Sequence, residues 1–247
     1  MKKNYRFIIS YDGTRYYGWE HQPGVEFTIQ GKIENVLNKM IGEDVEVLGA
    51  GRTDAGVHAR AMVANAFIDT ELSENEIKDY MNRYLPEDIC IVEVAIAGDR
   101  FHSRYNATGK TYCYTCYIGS SKPVFDRKYV YTLTDKPDIA AMQKASKILT
   151  GEHDFASFCS NPRMKKSTVR NVDDIRIEQK GDYLLFTYHG SGFLQHMVRI
   201  LTGTLLEVGF HKRTPESMAD LLKAKDRKLA GETAPAQGLC LIKVDYS

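Results

Sequence analysis

Between residues 5 and 11 the chain alternates, with Tyr5, Phe7, Ile9 and Tyr11 sharing one face, which is the period-two pattern of a half-buried strand. Asp12-Gly13-Thr14 breaks it. From Thr28 the period lengthens: Ile29, Ile33, Val36, Leu37 and Met40 recur at helical spacing behind a capping threonine. A short strand is predicted over 45–48, then a glycine-flanked loop and a second strand over 62–68. Ser73 and Glu76 read as a capping box for a helix carrying Ile77, Tyr80, Met81 and Tyr84, and a strand over 89–95 follows.

The second half opens on an aromatic strand over 112–118. Pro137 suits the first turn of a helix with Ile139, Met142, Ile148 and Leu149, closed by Gly151. Strands are predicted over 172–178 and 183–188. A strongly apolar helix over 193–208, ended by Gly209, comes next. Thr214-Pro215 opens a last helix through Met218, Leu221 and Leu222, and a final strand spans 239–244. Strands and helices alternate irregularly, and each half holds a strand, a helix and further strands. The pattern predicts an α+β fold of two similar lobes, 1–105 and 106–247, sharing a mainly antiparallel sheet with helices on one side.

Composition narrows the function classes. Among 247 residues, 43% are hydrophobic and 26% charged, as in ordinary globular proteins, so disorder, collagen and coiled coil fall away. No stretch approaches the ~20 apolar residues of a membrane span. The opening residues lack a signal-peptide core, and a cytoplasmic location is the expectation. With 33 Lys+Arg against 32 Asp+Glu the net charge is +1, without the basic excess usual in nucleic-acid binders.

Five cysteines, an odd count, read as reduced thiols. Cys113-x-x-Cys116 lies in a strand-like run where residues three apart face opposite ways, and nothing completes a zinc site. His153-Asp154 is expected to organise a turn rather than bind metal. No Walker A loop or GxGxxG occurs, so no nucleotide cofactor is indicated.

Chemistry concentrates in Gly49-Ala-Gly-Arg-Thr-Asp-Ala-Gly-Val-His-Ala59. Small residues of that density admit a ligand or a second backbone. Asp54, two positions from Arg52, is ionised at neutral pH, and an accessible carboxylate can serve as nucleophile or base. It can equally be a turn aspartate accepting backbone hydrogen bonds.

This run, together with Tyr11-Asp-Gly-Thr14, Gly18-Trp19, Leu85-Pro-Glu-Asp-Ile89, Phe101-His-Ser-Arg104 with Ala107, and Tyr112-Cys-Tyr114, closely resembles the tRNA pseudouridine synthase A family. In the second half the matching pieces are Gly151-Glu-His-Asp-Phe-Ala-Ser-Phe158, Thr168-Val-Arg170, Gly192-Phe-Leu194, Met197-Val-Arg199 and Ala234-Pro-Ala-Gln-Gly-Leu239. They follow the family's order over nearly the whole chain.

The resemblance implies an isomerase, without cofactor or metal, that cuts the C1′–N1 bond of uridine, rotates the uracil and rejoins it through C5. It implies an active-site cleft between the lobes, a homodimer, and tRNA as partner, with uridines 38 to 40 of the anticodon stem-loop as targets. It places Asp54 as the catalytic carboxylate and Arg199 as its ion-pair partner. It sets Tyr112 against the flipped base, Leu239 on the other side, and Arg52 in the vacated stack. It does not distinguish attack by Asp54 at C1′ from abstraction of the 2′ proton. Arg104, Arg163, Lys165, Lys166 and Arg170 are candidate RNA contacts, the last four within an acid-free stretch over 160–170.

The chain has Glu20-His21 where the family commonly has Gln-Arg, and Cys113 where it commonly has arginine. His58-Ala59 runs on into Arg60-Ala61-Met62-Val63, where the family usually has a glycine-containing run. These departures touch the RNA address more than the chemistry. The alternatives are a paralogue modifying another RNA site, a non-catalytic RNA-binding protein, and an acid/base hydrolase on Asp54, the last lacking a second carboxylate or a nucleophile–His pair. Cations gathered in patches still permit RNA binding by a neutral chain, with a shallow salt dependence.

Overall fold

The computed structural model describes residues 1–161, 164 and 166–247. In chain order the elements are β1 (Lys3–Tyr11), α1 (Ile29–Ile41), β2 (Leu48–Gly49), β3 (His58–Ile68), α2 (Glu74–Tyr84) and β4 (Ile89–Ile96). They continue with β5 (Ala107–Tyr117), β6 (Tyr131–Thr132), α3 (Ile139–Ile148), β7 (Gly151–Asp154), β8 (Val169–Lys180), β9 (Tyr183–Gly190), α4 (Met197–Gly209), α5 (Ser217–Ala224) and β10 (Leu239–Tyr246).

The chain divides into two compact units, one of residues 1–108 with 240–247, the other of residues 109–239. The last strand therefore belongs mostly to the first unit, because β10 pairs in parallel with β3 through Cys240 opposite His58 and Leu241 opposite Ala59. In that unit β1 lies antiparallel between β3 and β4, and β2 pairs with β3. Tyr5, Phe7, Ile9 and Tyr11 are all buried, as their alternation predicts. In the second unit β5, β9, β8 and β7 pair antiparallel in that order, with β6 parallel to β5. The class is α+β with mainly antiparallel pairing.

The helix caps follow the sequence. The Thr28 side chain accepts from Gly31 N, and Ser73 and Glu76 form the capping box of α2. Several boundaries differ from expectation. The segment 45–48 is not a strand before Leu48. Val45 N donates instead to Asn38 Oδ1 (2.8 Å) and Val47 N to Glu34 Oε1 (3.1 Å), so α1 side chains satisfy donors that a ladder would otherwise take. Helix α3 is capped by Asp138, whose Oδ1 accepts from Ala141 N (3.0 Å), with Pro137 just outside it. It ends at Ile148 with Leu149 as its C-cap, and Gly151 (φ 102°) opens β7 rather than closing the helix. Helix α4 begins at Met197, not 193, because His196 sits at φ 60°, outside helical geometry. The last helix starts at Ser217, beyond Thr214-Pro215.

Candidate active site

In the first unit the chain from β2 to β3 carries Asp54. Val57 N donates to Asp54 O (3.1 Å), closing a four-residue turn whose third residue, Gly56, has φ 77°. That position in such a turn favours glycine. The turn is clamped by two sequence-distant segments. Trp19 N donates to Thr53 O (3.0 Å), and Gly18, at φ 99°, lies so near that a Cβ would stand 2.6 Å from the Thr53 carbonyl oxygen. From the other segment Tyr11 Oη shares a hydrogen bond with Thr53 Oγ1 (2.8 Å), and Gly13 N donates to His58 Nδ1 (3.0 Å).

The motifs around Tyr11, Gly18 and Gly51 are thus one local structure, with the carboxylate-bearing turn at its centre. The Leu85–Ile89 segment joins it from below: Asp12 N donates to Asp88 O (2.9 Å), and the Asp88 carboxylate accepts from Tyr16 Oη (2.5 Å) and Arg15 Nε (2.9 Å). Burial, with the Asp88 carboxylate beside it, pushes the Tyr16 phenol well above its usual value.

Asp54 is half-buried, and Arg52 is exposed and ion-paired with Glu20, which directly follows Gly18-Trp19. That partner is one sequence reasoning missed. An acid one residue past the clamping Trp19, in place of the family's usual glutamine, was the available signal.

The second unit carries Tyr112, Arg199 and Leu239. Tyr112, buried on β5, stands opposite Tyr188 on β9 and meets the Phe193 ring edge-on at 5.4 Å. Arg199, in the first turn of α4, donates from Nε to Ala234 O (2.8 Å), and Ala234 N returns a bond to Arg199 O (3.1 Å). Tyr114, two residues along β5 and on the same face as Tyr112, donates its hydroxyl to Pro235 O (2.8 Å). A Cβ on Gly238 would lie 2.6 Å from the Tyr114 ring. So Tyr114 seats the Ala234–Leu239 turn, which in turn ties down Arg199 and delivers buried Leu239. Tyr114 is a second contributor missed from sequence, although the Tyr112-Cys-Tyr114 alternation already put both rings on one face. Burial drives its phenol far above the usual value.

Of the expected RNA contacts, Arg104 in the first unit and Lys166 in the second are exposed. Arg170 is half-buried on β8 and turns its guanidinium onto Ser167 O (2.9 Å) and Val169 O (2.6 Å). Burial lowers its pKa from the usual value. Arg163 and Lys165 lie outside the described residues.

The remaining signals resolve structurally. Cys113 and Cys116 sit on β5 opposite Thr187 and Leu184, and burial pushes the Cys116 thiol up. His153 Nε2 pairs with Thr150 O (2.9 Å), while Asp154 accepts from Thr168 Oγ1 (2.5 Å) and Lys225 Nζ (2.8 Å). All five cysteines stand outside any disulfide. Among the described residues no three of His, Cys, Asp and Glu gather to hold a metal ion, and no helix is long and apolar enough to cross a membrane.

The family model described as tRNA pseudouridine synthase matches residues 7–106 and 145–247, ranges that include Asp54, Arg199 and Leu239 but not Tyr112 or Tyr114. A protein named tRNA pseudouridine synthase A from Bacillus sp. (strain KSM-64) is 44% identical over 98% of this chain and 99% of its own length. One named tRNA pseudouridine synthase A 2 from Clostridium perfringens (strain 13 / Type A) is 42% identical over 99% of this chain and all of its own. Among solved structures, a chain of the Cbf5-Nop10-Gar1 complex is similar over 96% of this chain and 49% of that one, at 12% identity and a TM-score of 0.38, too low to carry weight. A family match spanning most of the sequence, and relatives of equal length at over 40% identity, place this chain in the tRNA pseudouridine synthase family.

Proposed function

We propose that this protein converts uridine to pseudouridine at positions 38 to 40 of the tRNA anticodon stem-loop, with Asp54 as the catalytic carboxylate. The observation that carries the reading is the clamped turn: Gly18, Trp19, Tyr11 and Gly13 fix the backbone on both sides of Asp54, while its side chain stays partly accessible. Such preorganisation is what a reaction at a single sugar carbon requires. The reaction is an isomerisation. The C1′–N1 bond breaks, C1′–C5 forms, the C5 proton is lost and N1 regains one, so no oxidant or cofactor enters the balance.

The target base must leave the stack first, at a cost of a few kcal/mol. In this reading Arg52 fills the gap, since a guanidinium plane stacks and binds phosphate. Tyr112 and Leu239 give flat apolar walls within which a detached uracil can rotate, and Arg199 partners Asp54. The reading includes a homodimer working in the cytoplasm without cofactor or metal.

The test is site-resolved pseudouridine mapping on unmodified tRNA with purified protein and its Asp54→Ala variant. The native protein modifies 38 to 40. The variant loses at least about three orders of magnitude in rate while RNA binding is largely kept. Full activity of Asp54→Ala overturns the catalytic assignment. Modification elsewhere in the RNA, with none at 38 to 40, favours a paralogue.

A further inference from the structure

We propose that Tyr105, with His102 and Arg104 beside it, is a stacking platform for an unpaired nucleotide of the RNA substrate. The proposal rests on the RNA-modifying reading above. Tyr105 is 76% exposed, unlike Tyr5, Tyr11, Tyr16, Tyr112, Tyr114 and Tyr188, which are all buried. The His102 ring lies against it at 4.2 Å and 45°, and most of the tyrosine ring remains in water. Arg104, also exposed, adds a cation within one residue. An aromatic face with a neighbouring guanidinium is the chemistry that receives a base and its phosphate.

The loop beneath is fixed by buried polar groups. Asn4, Asn65 and Ser103 are fully buried. Asn4 Nδ2 donates to Gly98 O (3.0 Å) and Phe101 O (2.8 Å), and Asn65 Nδ2 donates to Asn4 Oδ1 (3.0 Å). Ser103 N donates to Asn65 Oδ1 (2.9 Å), Ser103 Oγ to Leu48 O, and Tyr246 Oη to Ser103 O (2.6 Å). Within the loop His102 N donates to Asn106 Oδ1 (2.7 Å), Asn106 N to His102 O (3.0 Å) and Arg104 N to His102 Nδ1 (3.1 Å).

A fully satisfied buried network of this kind is rigid. An aromatic ring carried on a fixed loop and packed against His102 loses less entropy when a base lands on it than one on a mobile loop would. Leu48 and Asn65 belong to β2 and β3, the strands on either side of the Asp54 loop, so the platform and the carboxylate share one scaffold. Stacking uses a base's π-face and not its hydrogen-bonding edge, so the platform favours unpaired nucleotides over duplex without demanding a particular base.

The test measures dissociation constants of the native protein, Tyr105→Ala and Tyr105→Phe for unmodified tRNA and for a fully paired RNA duplex. Sedimentation is run in parallel. Tyr105→Ala is expected to raise the tRNA constant roughly 5- to 100-fold, to leave the duplex constant unchanged and to leave thermal stability unchanged. Tyr105→Phe, which keeps the ring, is expected to match the native protein. Unchanged tRNA binding by Tyr105→Ala, equal loss on duplex, or equal loss in Tyr105→Phe overturns the platform. A change of oligomeric state without loss of RNA affinity also overturns it, since the surface then serves a protein partner. These binding readouts do not depend on turnover, so a native protein that forms no pseudouridine refutes the proposed activity separately.

Discussion

Gly18→Ala tests whether the clamp on the Asp54 turn is as tight as its geometry indicates. The substitution carries two separable costs. Gly18 has φ 99°, and an L residue held at positive φ costs about 1–2 kcal/mol. The new Cβ would also stand 2.6 Å from the Thr53 carbonyl oxygen and 3.2 Å from the Asp54 carbonyl carbon. To reach ordinary contact the carbonyl must retreat by about 0.8 Å, an overpacking that costs about 1–3 kcal/mol.

The sum is about 2–5 kcal/mol, or a fall in Tm of roughly 4–20 °C for a chain of this length. Gly24→Ala is the control. Gly24 has φ 78° but no atom within 4 Å of its would-be Cβ, so it carries only the backbone cost, about 1–2 kcal/mol. The assay pairs thermal unfolding with single-turnover pseudouridine formation. Gly18→Ala is expected to melt below Gly24→Ala and to lose about 100-fold in rate, since displacement near 1 Å at a reacting group has that effect. Gly24→Ala keeps native turnover. If the two variants melt together and turn over equally, the Gly18 contact does not position Asp54.

Two further outcomes follow from charge. Glu20→Gln frees Arg52 from an exposed pair worth under about 1 kcal/mol. RNA affinity at low salt then rises a few-fold, and the slope of log K against log salt steepens by about 0.7–0.9, one more phosphate contact; an unchanged slope refutes it. Asp154 has its pKa lowered chiefly by the hydrogen bond from Lys225, then by that from Thr168. Its folded value lies below its unfolded one, so its contribution to stability is full above the usual carboxylate range and is lost as pH falls through the folded value. The native protein is therefore expected to lose more stability than Asp154→Asn between about pH 5 and 2 in urea titrations, and parallel curves would contradict it.

Regular structure was legible in the residues wherever periodicity and caps agreed. The β1 face, the Thr28 cap and the Ser73/Glu76 capping box need only neighbours within a few positions, and all three are present. Element ends were less legible where side chains of another element or an unusual backbone angle decided them. The Val45–Val47 donors turned to α1 side chains, and His196 took positive φ ahead of α4. The candidate site divides in the same way. The density of small residues around Asp54 marked the loop, and the family resemblance supplied the roles proposed for its residues.

By itself, then, the sequence determined the α+β class, most of the elements, the Asp54 loop and the family. Only the tertiary structure decided that Tyr11, Gly13, Gly18 and Trp19 clamp that loop, that Glu20 neutralises Arg52, and that Tyr114 seats the turn holding Arg199. It also decided that the last strand, beyond Leu239, joins the first unit, beside β3. The physical reason is range. Periodicity and capping are local, whereas a missing Cβ, a buried amide or an ion pair acquires meaning only from the atoms that folding brings against it.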